Sequence, residues 1–220
     1  MKKFKFFAAV LMVSVMLVAT GCADGCFPDA GGLAKPEKPI IYLYPEAAKR
    51  VTVELPDVEK LLYTYPKYES AWEVTAQPNG DLTDLKTGRS LYALYYESTG
   101  VNGFNMQEGF VIEGKDTITF LEEKLAVLGL NEREANEFVI YWLPRLESNR
   151  YNYIRFQTYE EIESNMRLKI TPVPDTLIRV MMEFKPLNQK IEVTEQVLTP
   201  ASPRVGFVAV EWGGTEIISV

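Results

Sequence analysis

Val205-Gly-Phe-Val-Ala-Val-Glu-Trp212 is apolar at odd and even positions alike, with Gly206 and Glu211 the only exceptions. A strand on a half-exposed sheet alternates apolar with polar residues. One that is apolar throughout has both faces covered and belongs at the centre of a sheet. The run 177–184 does alternate: Ile178, Val180, Met182 and Phe184 share one face, Arg179 and Glu183 the other. Further β-rich runs fall at 39–44, 50–55, 60–65, 71–76, 81–85, 90–97, 151–157, 166–171 and 191–194. Asn79-Gly80 predicts a hairpin between 72–76 and 81–85, because a type I′ turn needs positive φ at both central positions.

Between these strands the period changes. Ile118, Leu121, Leu125 and Leu128 recur at helical spacing, with Asp116 placed as N-cap and Gly129 as the C′ residue. Asn131 with Glu134 predicts a capping box for a second helix, whose apolar face is Ala135, Phe138, Val139, Trp142 and Leu146. Pro144 should kink or end that helix. The short connection makes the two helices an antiparallel αα-hairpin. The expected fold class is therefore α+β: an antiparallel-rich β-sheet system with one inserted αα-hairpin. Residues 39–220 form the domain, with 39–113 and 114–220 as possible subdomains.

The N-terminus reads as an export signal. A basic segment (Lys2, Lys3, Lys5) precedes an apolar stretch over 6–19 that is shorter than the ~20 residues needed to span a bilayer. Val18-Ala-Thr-Gly-Cys22 resembles the bacterial lipobox, although Ala19 stands where Leu is usual. The expectation is cleavage after residue 21 and acyl chains, such as palmitate, carried on Cys22. The protein would then sit on the outer side of the cytoplasmic membrane, or in the outer membrane if the host has one. An acylated Cys22 leaves Cys26 without an intramolecular disulfide partner; without the anchor the two could pair. Residues 22–38, rich in Gly and Pro, read as a flexible tether.

Composition excludes several chemistries. Apolar residues make up 47% and charged residues 24%, which argues against disorder. Removal of the three signal lysines would take the net charge from −7 to −10, disfavouring nucleic acid as a partner. No histidine is present, so Ser-His-Asp and Cys-His catalysis and imidazole-bound zinc are excluded. Gly109-Phe-Val-Ile-Glu-Gly-Lys-Asp116 approaches a phosphate-binding loop, but Asp116 replaces the magnesium-binding hydroxyl and Glu113 would repel phosphate. Asp81 and Asp84 lack the ligand ladder of a calcium loop. No cofactor or metal is expected.

Several stretches resemble a group of bacterial secreted or lipid-anchored proteins of uncharacterised function: Lys38-Pro-Ile-Ile-Tyr-Leu-Tyr-Pro45, Tyr65-Pro-Lys-Tyr68, Trp72-Glu-Val-Thr-Ala76, Glu134-Ala-Asn-Glu-Phe-Val-Ile-Tyr-Trp-Leu-Pro144, Pro174-Asp-Thr-Leu-Ile-Arg-Val180 and Val210-Glu-Trp-Gly-Gly214. The resemblance implies one coherent domain and brings no catalytic residues with it.

Two sets of side chains remain as candidates. Tyrosines recur at i, i+2 (Tyr42/Tyr44, Tyr63/Tyr65, Tyr151/Tyr153), so each pair shares a strand face. With Tyr141 and Trp142 they could form a platform for a glycan or peptide, or simply line a sheet–helix interface. Glu211, beside Trp212 and a Gly-Gly turn, needs a cation such as Arg155 or Arg179 if it is ionised and buried. It could instead be an acid catalyst, as could the helical pair Glu134 and Glu137, the latter able to pair with Arg133. The leading expectation is a non-catalytic binding or structural module; the alternative is a carboxylate-dependent hydrolase of envelope polymers.

Overall fold

The computed structural model describes residues 34–99 and 107–217; the signal segment, Cys22 and Cys26 lie outside the described residues. In chain order the elements are β1 (Ala34–Tyr44), β2 (Lys49–Glu54), β3 (Leu61–Tyr65), β4 (Trp72–Ala76), β5 (Leu82–Asp84), β6 (Ser90–Leu91), β7 (Leu94–Ser98) and β8 (Glu108–Glu113). Helices α1 (Thr117–Val127) and α2 (Glu132–Leu146) follow. Then come β9 (Tyr151–Phe156), α3 (Tyr159–Asn165), β10 (Lys169–Thr171), β11 (Thr176–Leu187), β12 (Thr194–Glu195) and β13 (Val208–Ile217). An eight-stranded sheet has the order β12-β8-β9-β11-β13-β1-β7-β3, and a five-stranded sheet the order β10-β2-β4-β5-β6. The class is α+β.

β13 sits inside the large sheet, parallel to β11 on one side and antiparallel to β1 on the other. Alternation along these strands feeds two cores. Ile40 and Tyr42 of β1, Val208, Val210 and Trp212 of β13, and the alternating residues of β11 pack beneath the α1–α2 hairpin. Ile41, Leu43 and Ala209 face the other way, onto the small sheet. The molecule is thus three layers, helices over large sheet over small sheet, with β1 and β13 shared between both cores.

Several expectations are corrected. The 205–212 run starts as a strand only at Val208, and Gly213-Gly214 is not a turn: β13 runs through both glycines to Ile217. The reason is proximity. A Cβ on Gly213 would lie 3.0 Å from the Pro39 Cα, and one on Gly214 would lie 2.7 Å from Trp142 Cζ2 and 2.8 Å from the Met182 carbonyl. β1 begins at Ala34, inside the predicted tether, and pairs with β13 from Ile217 onward. The β4–β5 hairpin forms, but Asn79 does not take positive φ; only Gly80 does. Gly80 N–H donates to the Gln77 carbonyl, so Pro78 and Asn79 occupy the central positions. Proline there fixes φ near −65° and selects a type I turn followed by a left-handed glycine.

In α1 the buried residues are Thr117, Phe120, Leu121 and Leu125, while Ile118 points outward. Helix α2 has the predicted capping box, Asn131 Oδ1 accepting from Glu134 N–H and Glu134 accepting from Asn131 N–H. It also runs through Pro144 to Leu146. Proline is tolerated because only the last turn follows it and Ile140, whose carbonyl loses a donor, lies on the exposed side. The sequence reading missed α3, although Thr158 and Glu161 form its capping box.

Because Gly214 lies between an indole and a neighbouring carbonyl, Gly214→Ala should destabilise the fold by about 1–3 kcal/mol, the usual cost of overpacking. Urea unfolding checks this. A variant as stable as the parent would contradict the packing described.

Candidate functional site

Cross-strand partners share a sheet face. On the helix side one row runs Tyr65–Tyr95–Ile40–Trp212–Val180 across β3, β7, β1, β13 and β11. Helix α2 covers one end of this row: Phe138 packs 5.2 Å from Trp212, and Trp142 5.7 Å from Phe184, ring centre to ring centre. No side chain of β3 or β7 among the described residues joins the helix-side core. Among the described residues, no helix covers the other end of the row. Tyr63 is 61% and Tyr65 52% exposed, beside half-buried Tyr95 and Glu97. The result is an aromatic shelf with α2 as its wall.

Acid–phenol pairs line the angle between shelf and wall. Tyr95 donates to Glu97 at 2.6 Å, and Tyr141 donates to Glu37 at 3.0 Å. Arg145 also pairs with Glu37. Tyr42 donates to Glu137 at 2.7 Å, and Arg133 Nε lies 3.5 Å from the same carboxylate. Burial raises the Tyr141 hydroxyl to about 12, with Glu37 reinforcing and Arg145 opposing the shift. Burial and then Glu97 likewise raise Tyr95. These phenols therefore stay protonated donors at neutral pH.

Lys38 closes the corner. The β1–β13 register slips between Glu37 and Ile40, and in this bulge Lys38 has φ +53°, the one non-glycine with positive φ among the described residues. Its Nζ lies 4.5 Å from the Tyr141 ring centre and 5.8 Å from that of Trp212. Burial lowers its pKa, with Glu137 acting in the opposite sense.

The predicted platform residues are not all together. Tyr63, Tyr65 and Tyr141 belong to the shelf and its wall. Tyr42 is buried, its ring stacked on Tyr44 at 6.3 Å. Trp142 is fully buried and serves the core, so it meets no ligand. Tyr151 and Tyr153 lie on the far face, since their neighbours Ile154 and Phe156 point to the helices. The sequence reading missed Lys38, Glu37, Tyr95 and Arg145.

The candidate carboxylates divide by burial. Glu211 is 0% exposed, accepts from Arg179 Nε at 2.5 Å and from the Tyr96 hydroxyl at 2.8 Å, and is the structural ion pair that one reading expected. Arg155 instead holds Glu183 and Glu161. Glu134 is also fully buried, gripped by both Arg204 amino groups at 2.8 and 2.9 Å besides closing the capping box. Glu137 alone of the three reaches the surface, at the shelf wall. Residues 109–113 are strand β8, not a phosphate loop, and no group of three acids or cysteines suited to a metal occurs among the described residues.

A separate open cleft of about 480 Å³ lies between β8, α1 and residues 190–195, floored by Phe110 and Phe120. It gathers Asp116, Glu123, Glu192 and Glu195, all solvent-exposed, and holds none of the predicted site residues.

Glu211→Gln would leave the buried Arg179 guanidinium short of charge, and should cost about 3–5 kcal/mol of stability. The double change Glu211→Leu with Arg179→Met should cost much less, since it removes both ions. Denaturant unfolding of the two variants measures the difference; equal losses would remove the ion pair from the account. Compared with family models, curated proteins and solved structures, the chain matches none.

Proposed function

We propose that the protein is an exported lipoprotein of the bacterial cell envelope, held to the membrane by acyl chains on Cys22, and that it binds envelope glycan on the tyrosine shelf without catalysing a reaction. The observation that carries this reading is the pair of outward rings, Tyr63 and Tyr65, next to Tyr95 and Glu97. Two residues along a strand separate the rings by ~6.6 Å, so neighbouring units of a saccharide could each meet a ring. The negative face of an aromatic ring attracts the polarised C–H bonds of a sugar, and the adjoining carboxylates and phenols supply hydrogen bonds for its hydroxyls.

A glycan fits better than a strand-like peptide. A peptide would add along the outer edge of β3, the last described strand of the sheet, and that edge carries a bulge between Leu61 and Tyr63 and Pro66 directly after the strand. Catalysis is disfavoured because Glu211 and Glu134 are sealed in buried ion pairs. The envelope placement rests on the basic, apolar and lipobox segments of the N-terminus and on the resemblance to secreted and lipid-anchored proteins.

Solubilised cell-wall glycan should change tryptophan fluorescence, because Trp212 and Trp142 lie just behind the shelf wall. Tyr63→Ala with Tyr65→Ala should weaken binding at least ~10-fold, equivalent to ~1.4 kcal/mol, while stability changes by no more than ~0.5 kcal/mol at such exposed sites. Binding that survives the double change, or that appears only with peptides, counts against the shelf. Mass spectrometry of the mature protein should find an acylated Cys22 at its N-terminus, and Cys22→Ser should release the protein from membranes. An unmodified Cys22 rejects the anchor.

A further inference from the structure

We infer that the saccharide bound on this shelf is acidic and that Lys38 is the counter-ion for its carboxylate. The inference rests on the shelf being the ligand face, and it names the ligand class. Three observations carry it. First, Lys38 holds a left-handed backbone conformation that costs an L-residue energy and that the following proline does not favour, since a residue before proline prefers extended φ and ψ. A glycine would hold the same bulge without strain, so the side chain, not the bend, accounts for a lysine there. β-bulges re-aim side chains in this way beside functional sites.

Second, the ammonium is half-buried and its contacts are aromatic. Among the described residues Lys38 makes no ion pair, and its Nζ meets the Tyr141 and Trp212 rings. Third, the acids around it are engaged. Glu37 is held by Arg145 and Tyr141, Glu137 by Tyr42 and Arg133, and Glu97 by Tyr95. Of the three described cations at this corner, Arg133, Arg145 and Lys38, the lysine alone makes no ion pair, although it feels the charge of Glu137. A partly desolvated ammonium gains most from an incoming carboxylate, because the local dielectric is low and part of its water has already been lost. The lowered Lys38 pKa agrees with that desolvation. Tyr141 and Tyr95 link this corner to the rings of Tyr63 and Tyr65, so one acidic sugar chain can use both.

The test uses the full-length lipoprotein in detergent, titrated with tetragalacturonate and tetraglucuronate and with their uncharged methyl esters. The acid form of at least one should bind 10-fold or more tightly than its ester, with the preference shrinking as salt is added. Lys38→Met should bring the acid-to-ester ratio to about one, and Lys38→Arg should keep most of it. Lys38→Gly should lose the preference as well, while its melting temperature equals or exceeds that of the parent, which separates a lost counter-ion from a damaged fold. A ratio near one in the parent, or a preference that survives Lys38→Met and Lys38→Gly, overturns the inference; so does failure of every acid form to bind. Ester binding that still depends on Tyr63 and Tyr65 would leave the shelf standing and remove only Lys38 from it.

Discussion

Burying one strand on both faces is the constraint the rest of this structure answers. β13 lies between β11 and β1 and between two cores, so each of its side chains must meet a matched surface. Its one acid in the closed interior, Glu211, is matched by Arg179 on the parallel neighbour and by the Tyr96 hydroxyl. Arg179 in turn reaches Glu163 of α3 and the Met166 carbonyl, so neutralising Glu211 also fastens α3 onto that face. Arg155 repeats the device with Glu183 and Glu161. Two buried arginines thereby dock a helix of only seven residues, too short to hold itself by propensity. Burial of such ions is seldom a net gain over apolar packing. What these pairs supply is placement.

The same strand explains the bulge. Without a Cβ at Gly213 the β1 backbone can press in at Pro39, and without one at Gly214 the Trp142 ring can close onto the strand. Val-Glu-Trp-Gly-Gly and Lys-Pro-Ile-Ile-Tyr are therefore complementary halves of one seam, although 172 positions separate Lys38 from Val210. Lys38 is aimed by an arrangement whose other half is two glycines on the partner strand.

Elements whose signal is local were legible before any coordinates. The alternation of 177–184, the Asn131–Glu134 box and the strand-rich character of the chain all depend on neighbours within a few residues, and all appear. Features set from across the fold were not legible. A Gly-Gly pair reads locally as a turn, and only Pro39 and Trp142 make it a strand. Ile118 has helical spacing, yet it faces solvent because α1 is rotated to bury Phe120 against Phe110. The Thr158–Glu161 box was present in the sequence, and α3 went unread because its apolar face is a single residue, Ile162. The site divides in the same way. The i, i+2 rule puts each tyrosine pair on one strand face, but which face and how deep are decided by register. Tyr63 and Tyr65 thus reach solvent while Tyr153 does not. Nothing local announces Lys38, since proline after it points toward extended backbone.

Why the shelf is open follows from widths. Strands are spaced ~4.8 Å apart, so the five from β8 through β1 span roughly 19 Å, and the eight of the whole sheet roughly 34 Å. Two packed helices, each ~10 Å across, cover about 20 Å. The α1–α2 hairpin is therefore wide enough to roof β8, β9, β11, β13 and β1 and too narrow to reach β7 and β3. Uncovered strands could simply have carried polar residues on that face. Here they carry Tyr63, Tyr65 and Tyr95, with the roof's edge lined by Tyr141, Glu137 and Arg145. Large rings that no described helix covers keep much of their apolar area in contact with water, at ~25 cal/mol for each Å². The saccharide proposed as ligand would recover part of that free energy by covering the rings.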